Sequence, residues 1–275
     1  MPSHASISPD KLARLVGTAR APTILDVRDD DDFAAAPRLI PGALRRDPDR
    51  LDDWAPACFD RSVIVVCARG AKRAQGTAAL LRAAGVAAET LEGGFEAWVD
   101  EGRPTVATAD LPPRDAEGRT RWVTRHRPKV DRIACPWLIR RFVDPTAVFL
   151  YVPPADVAAV AERFAAAAFD IEGAFFSHRG ETCTFDTMLD VFGLDSEPLR
   201  RLATIVRGAD TGRPELAPEA AGLLAASLGL SRGFADDLEQ LDAGMIVYDA
   251  FYRWCRDATE ETHDWPAHKG RPGPR

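Results

Sequence analysis

The stretch Cys67-Ala-Arg-Gly-Ala-Lys-Arg73 sets one thiol beside a glycine and three cations. A cysteine acts as a nucleophile through its thiolate, which cations, loop amides and a helix N-terminus all favour. A helix end alone contributes about 0.3–1 kcal/mol, so loop amides or cations must supply most of any activation. A second constellation, His178-Arg-Gly-Glu181-Thr-Cys183-Thr-Phe-Asp186, gathers four metal-ligating or redox side chains around an Arg179-Gly180 turn. Its spacing matches no standard metal motif, and Thr184 or Asp186 would equally serve as a helix cap with Cys183 in the core. A third feature is Arg114–Arg141, with nine basic and three acidic residues. Such a cluster binds a small oxyanion or nucleic-acid phosphate, or pairs with acidic neighbours.

The elements around Cys67 read as a parallel α/β sheet. Ile24–Val27 and Val63–Val66 are short, apolar and rich in β-branched residues, as buried strands are. Ala71–Ala84 is strong in helix formers, with Gly85 as its stop. A strand near Ala88–Leu91 leads through Gly93-Gly94 into a helix carrying Phe95 and Trp98. Cys67 then falls at the carboxyl end of a parallel strand, the edge where open α/β sheets bind ligands. The second half reads as mainly helical. Its expected helices are Pro136–Phe142, Ala155–Ala167, Phe185–Phe192, Pro198–Val206, Pro218–Leu228 and Asp236–Asp257, with strands near Val148–Val152 and Ala174–Ser177. In the last helix, apolar residues from Leu238 to Cys255 recur at three- and four-residue steps, a core face.

The chain has 275 residues, enough for two cores of ordinary size. Its 46% hydrophobic and 28% charged content is that of a globular protein. A net charge of −7 excludes a body that is a basic nucleic-acid platform throughout. No apolar run reaches the ~20 residues of a membrane span, and the N-terminus has no signal-peptide pattern, so a cytoplasmic protein is expected. Five scattered cysteines form no Cys-x-x-Cys pair and argue for reduced thiols.

The first ~105 positions resemble the rhodanese (sulfurtransferase) family along their whole length. The resemblance rests on Leu25-Asp26-Val27-Arg28 with Asp32-Phe33, Ile40-Pro41-Gly42-Ala43, the Cys67-x-x-Gly70 loop, and Leu91-Glu-Gly93-Gly94-Phe95-Glu-Ala97-Trp98 through Pro104. It implies that Cys67 carries sulfur as a persulfide, that Ala68, Arg69, Gly70, Ala71, Lys72 and Arg73 form the substrate-binding loop, and that Asp26 and Arg28 brace it. Leu39 stands where the family usually has His, and Ala68 where Arg is common. Cys67 to Arg73 also has the Cys-x5-Arg spacing of phosphatases and arsenate reductases of this fold. A helix beginning at Arg73 favours sulfur transfer, whereas a wider loop with Arg73 turned inward favours phosphate or arsenate.

The second half resembles the C-terminal domain of the chromate-resistance, ChrB-type family from about Trp122 to Asp257. The matching pieces include Asp131–Phe142, Phe149–Pro153, Phe176-Ser-His178, Cys183–Asp186, Ile205–Asp210 and Tyr248–Trp254. These motifs add Arg132 and Asp210 to His178, Glu181, Cys183 and Asp186 as a candidate second-domain site. The resemblance implies a link to chromate and to regulation of resistance genes, although typical members carry a different N-terminal domain thought to bind DNA.

The expected architecture is an α/β rhodanese-like domain over residues 1–105, a linker at 106–120, a mainly α (α+β) domain over 121–260, and a flexible tail at 261–275. The preferred function is transfer of sulfur from a thiosulfate-like donor through a Cys67 persulfide to a thiophilic acceptor, linked to chromate or oxyanion resistance. The alternatives are a chromate or metal sensor with an accessory rhodanese domain, and a Cys-x5-Arg phosphatase or an arsenate or chromate reductase using Cys67 with Cys135 or Cys183. The first domain needs no cofactor on this reading. The second is a candidate for a metal or oxyanion, and neither membrane nor nucleic acid is an expected partner.

Overall fold

The computed structural model describes residues 5–261. The first half contains β1 (Ser6–Ile7), α1 (Pro9–Leu15), β2 (Thr23–Asp26), α2 (Asp30–Ala35), β3 (Arg38–Leu39), β4 (Ala43–Arg45), α3 (Leu51–Trp54), β5 (Ser62–Val66), α4 (Lys72–Ala83), β6 (Ala87–Leu91) and α5 (Gly94–Asp100). Five of its strands form one sheet in the order β1-β6-β5-β2-β4, all parallel. The two-residue period of a strand assigns side chains to faces. On β5, Val63 and Val65 join Leu25 and Val27 against Ala74, Ala78 and Leu81 of α4. Ile64 and Val66 face the other way, with Ile24, Leu91, Phe95, Trp98 and Leu12.

That second face does not close on itself. Its core runs without a break into Trp122, Trp137, Phe142, Phe185 and Tyr252 of the C-terminal half. Gly17 shows how close the halves come, since a Cβ there would lie 2.2 Å from the Phe142 ring. The two-core expectation from chain length is therefore corrected: one face of the sheet has its own core, and the other shares one. The 106–120 stretch is also structured. It holds β7 (Val106–Ala107), paired antiparallel with β3, and a turn in which Asp115 binds Arg119 and Arg121.

Beyond it lie β8 (Arg121–Arg125), α6 (Asp131–Leu138), β9 (Val148–Val152), α7 (Val157–Phe164), β10 (Ala167–Ala168), α8 (Thr184–Phe192), α9 (Glu197–Asp210), α10 (Glu219–Gly233) and α11 (Asp237–Asp257). The strands form a parallel sheet, β10-β8-β9, beside a helix-rich layer. Two expectations need correction. Residues 174–177 form no strand: after Asp170 turns left-handed (φ 52°), only an isolated Phe169–Phe176 bridge remains. The helix expected to start at Pro136 begins at Asp131 and contains that proline. Pro136 lacks the N–H that the Arg132 carbonyl would accept, and the Tyr151 hydroxyl donates to that carbonyl instead at 2.9 Å.

Among the described residues no helix is long and apolar enough to cross a membrane. Of the tail expected from 261, residues 262–275 lie outside the described residues.

Candidate functional site

Cys67 follows directly on β5 and is nearly buried, at 6% exposure. The chain must reverse from strand into α4 within Cys67–Ala71, and Gly70 does so at φ 65°. A Cβ on Gly70 would lie 2.5 Å from the Leu91 carbonyl, and one on Gly94 would lie 2.3 Å from both the Cys67 carbonyl and the Gly70 nitrogen. The two glycines thus let the Cys67 loop and the start of α5 touch backbone to backbone. The Phe95 N–H donates to the Cys67 carbonyl and the Glu96 N–H to the Ala68 carbonyl, both at 2.9 Å.

These bonds hold the loop by its carbonyls and leave its amides free. Among the described residues, the N–H groups of Ala68, Arg69, Gly70 and Ala71 donate to no protein acceptor. No side chain caps the N-terminus of α4. Unclaimed amides ahead of a helix N-terminus are suited to holding an anion or a polarisable sulfur. The loop cations are mostly committed elsewhere. Arg69 pairs with Glu96 at 3.1 Å and Arg73 with Asp29 at 3.4 Å, while Lys72 is exposed. The helix starts at Lys72, so Arg73 lies in α4 and does not turn into the loop.

Asp26 and Arg28 form a buried ion pair at 2.7 Å. Arg28 also donates to the carbonyls of Ala36 and Arg38 and lies 3.8 Å over the Phe95 ring. Since Phe95 holds the Cys67 carbonyl, the pair reaches the loop through one intermediary. Beside it, at the carboxyl edge of the sheet, opens a cavity of about 500 Å³ lined by Arg28, Asp29, Arg45, Arg46, Asp47 and Arg73, among others.

In the second half the structure brings some of the sequence candidates together and separates others. His178 Nε2 lies 3.2 Å from Asp210, 3.4 Å from Asp170 and 3.5 Å from Asp131. Arg132 pairs with Asp170 at 3.2 Å, on the oxygen that Arg125 also binds. Glu181 is turned away to Arg213. Cys183 and Asp186 form a reciprocal cap on α8, and Asp186 is paired with Arg207. Asp131 and Asp170, absent from the sequence-derived site, are its buried members. Burial pushes the Asp131 carboxyl well above the usual carboxylate range, with Asp210 and Asp170 adding to the effect; burial and Asp170 also raise Asp210.

The basic stretch is largely neutralised. Arg114 pairs with Asp144, Arg119 and Arg121 with Asp115, Arg125 and Arg132 with Asp170, Arg140 with Asp242, and Arg141 with Asp249. The Arg127 guanidinium binds the carbonyls of Ser231 and Phe234. Pairing with acidic neighbours is the outcome for these arginines. All five cysteines are free, and Cys67 packs in a different cluster from Cys135 and Cys183.

Residues 8–101 match the rhodanese-like domain family and residues 122–255 match the family described as ChrB, C-terminal domain. Protein ChrB of Cupriavidus metallidurans is 37% identical over 166 residues, which cover 58% of this chain and 49% of that protein. The match therefore spans about half the length of this relative. A rhodanese-related protein from Thermoplasma volcanium has 27% identity and a TM-score of 0.33, covering 38% of this chain and 98% of its own. A thiosulfate sulfurtransferase from Pseudomonas aeruginosa has 27% identity and a TM-score of 0.33, over 40% of this chain and 21% of its own. The chain joins a rhodanese-like domain to a ChrB C-terminal domain.

Proposed function

We propose that the protein is a sulfurtransferase that forms a persulfide on Cys67 and acts in chromate or oxyanion resistance through its C-terminal domain. The observation that carries this reading is the loop itself: a thiol at the strand end, followed by unclaimed amides and an uncapped helix N-terminus. In the first half-reaction the Cys67 thiolate attacks the outer sulfur of a thiosulfate-like donor. The new Cys–S bond forms as the donor S–S bond breaks, and sulfite leaves with the bonding pair. In the second, a thiophilic acceptor such as cyanide or a small thiolate takes the outer sulfur and returns the thiolate. Covalent catalysis of this kind divides one difficult transfer into two steps. The loop amides stabilise the anionic sulfur in both states.

The position of Arg73 favours sulfur over phosphate or arsenate. A phosphatase loop of this spacing directs its arginine at the oxyanion, whereas Arg73 pairs with Asp29. The link to chromate rests on the ChrB C-terminal domain and the likeness to protein ChrB. A thiosulfate-to-cyanide assay on the wild type and Cys67→Ser tests the activity. Thiocyanate production that needs Cys67 supports the reading, and its absence with every sulfur donor refutes it.

A further inference from the structure

The His178 cluster lies outside the Cys67 chemistry and has its own geometry. Four segments converge there: Asp131 opens α6, Asp170 sits in a left-handed turn after β10, His178 lies in the loop before α8, and Asp210 closes α9. The Nε2 of His178 lies 3.2–3.5 Å from one oxygen of each of the three carboxylates. One ring nitrogen carries at most one proton and can direct it to one acceptor. Protonating His178 therefore satisfies only one of the three contacts.

A metal ion draws in several of them at once. With metal–ligand bonds of about 2.1 Å, neighbouring donors are about 3.0 Å apart in an octahedron and about 3.4 Å apart in a tetrahedron. The contacts to His178 fall in or just above that range. Donor atoms of Asp131, Asp170 and His178 also lie within 4.8 Å of one another. A second, independent observation concerns Asp131, which faces this cluster fully buried. Its Oδ2, the oxygen that faces His178, accepts the Thr184 N–H at 2.6 Å, while the other oxygen of the same carboxyl, Oδ1, has no hydrogen-bond partner. A buried carboxylate oxygen without a partner is costly unless a proton or a cation takes it, and a cation would also join the contacts to His178. The nearby guanidiniums do not: Arg125 and Arg132 both bind Asp170 on Oδ2, while its Oδ1 accepts the Thr184 hydroxyl at 3.0 Å and lies 3.4 Å from His178.

We propose that Asp131, Asp170 and His178 bind one divalent first-row metal ion of the Mn²⁺ or Fe²⁺ type, with Asp210 the neighbouring carboxylate against His178. Carboxylates with one imidazole form a hard-to-borderline donor set, which suits these ions better than thiolate-seeking Cu⁺. Cys183 stands nearby but donates its thiol proton to Asp186. Cys135 is buried one turn along α6 from Asp131. The site is independent of Cys67, so it stands or falls apart from sulfur transfer.

The test uses the full chain, stripped with a chelator, exchanged into chelator-free buffer and titrated with MnCl₂ while the aqueous Mn²⁺ resonance is followed by electron paramagnetic resonance. The expected result is loss of that resonance up to one equivalent, with a rise in melting temperature. His178→Ala, in a partly exposed loop, leaves the fold intact and should weaken binding at least tenfold; Asp131→Asn should do the same. Unbound Mn²⁺ throughout the wild-type titration would overturn the proposal. So would affinity unchanged in both variants, or saturation by Zn²⁺ with none by Mn²⁺ or anaerobic Fe²⁺.

Discussion

Asp26→Ala is the most informative perturbation of the first domain. Asp26 and Arg28 meet at 2.7 Å with side chains 2% and 1% exposed, so water screens neither charge. Removing one partner of such a pair costs about 3–5 kcal/mol, because the other charge stays buried without compensation. Arg28 keeps the Ala36 and Arg38 carbonyls and the Phe95 ring, which places the expected loss toward the lower end. At about 2–4 °C per kcal/mol for a chain of this size, the melting temperature should fall by roughly 6–12 °C. Circular dichroism melts and urea denaturation measure the loss. Sulfur transfer, assayed well below the new midpoint, should also fall, because Arg28 holds Phe95 and Phe95 holds the Cys67 carbonyl. The double change Asp26→Leu with Arg28→Met should recover much of the stability, since an apolar pair of similar volume removes both buried charges. It should not recover the activity. A cost for Asp26→Ala below about 1 kcal/mol, the range of exposed pairs, would refute the reasoning.

Gly94→Ala should disable the Cys67 loop as well as destabilise the fold, because its Cβ would stand 2.3 Å from the Cys67 carbonyl at a φ of 65°; wild-type melting and thiocyanate production would contradict this. Asp115 gives a pH signature. Its burial raises the carboxyl pKa, but hydrogen bonds from Arg119 and the charges of Arg119 and Arg121 outweigh that and hold it at about 2. A depressed folded-state value stabilises above the unfolded value near 4, and the contribution is lost as pH falls toward about 2. Asp115→Asn should therefore be less stable than wild type at pH 7 and converge on it below pH 4 in denaturation curves. Cys135 and Cys183 should resist alkylation in the native protein, since burial raises both thiols; rapid labelling of either, read by peptide mass spectrometry, would show that the shared core opens.

What could be read from the residues alone follows from how local each signal is. Val63–Val66 announces a buried strand by composition, and Cys67-x-x-Gly70 announces a tight reversal, because sterics over a few residues decide both. The shared core was not legible. Helical periodicity shows that a face is buried but not what buries it, so nothing around Gly17 indicated that Phe142 would lie against it. Pro136 misled for a related reason: a proline marks a helix start unless a distant group, here the Tyr151 hydroxyl, takes the orphaned carbonyl. In the His178 cluster, Asp131, His178 and Asp210 all fell in motif pieces, but only His178 and Asp210 were singled out as site residues. Asp131 stood inside a basic run and Asp170 stood alone between apolar stretches, and only the tertiary fold sets them beside His178. Glu181 and Asp186 were near in sequence but are held away by Arg213 and the α8 cap.

The central claim is that sulfur is carried on Cys67. Wild-type protein treated with thiosulfate and passed through a desalting column should gain the mass of one sulfur atom on the peptide containing Cys67, and cyanide should remove it with release of thiocyanate. Cys67→Ser should show neither. No added sulfur on Cys67 with any persulfide donor, or added sulfur on another cysteine with Cys67 untouched, would contradict the account.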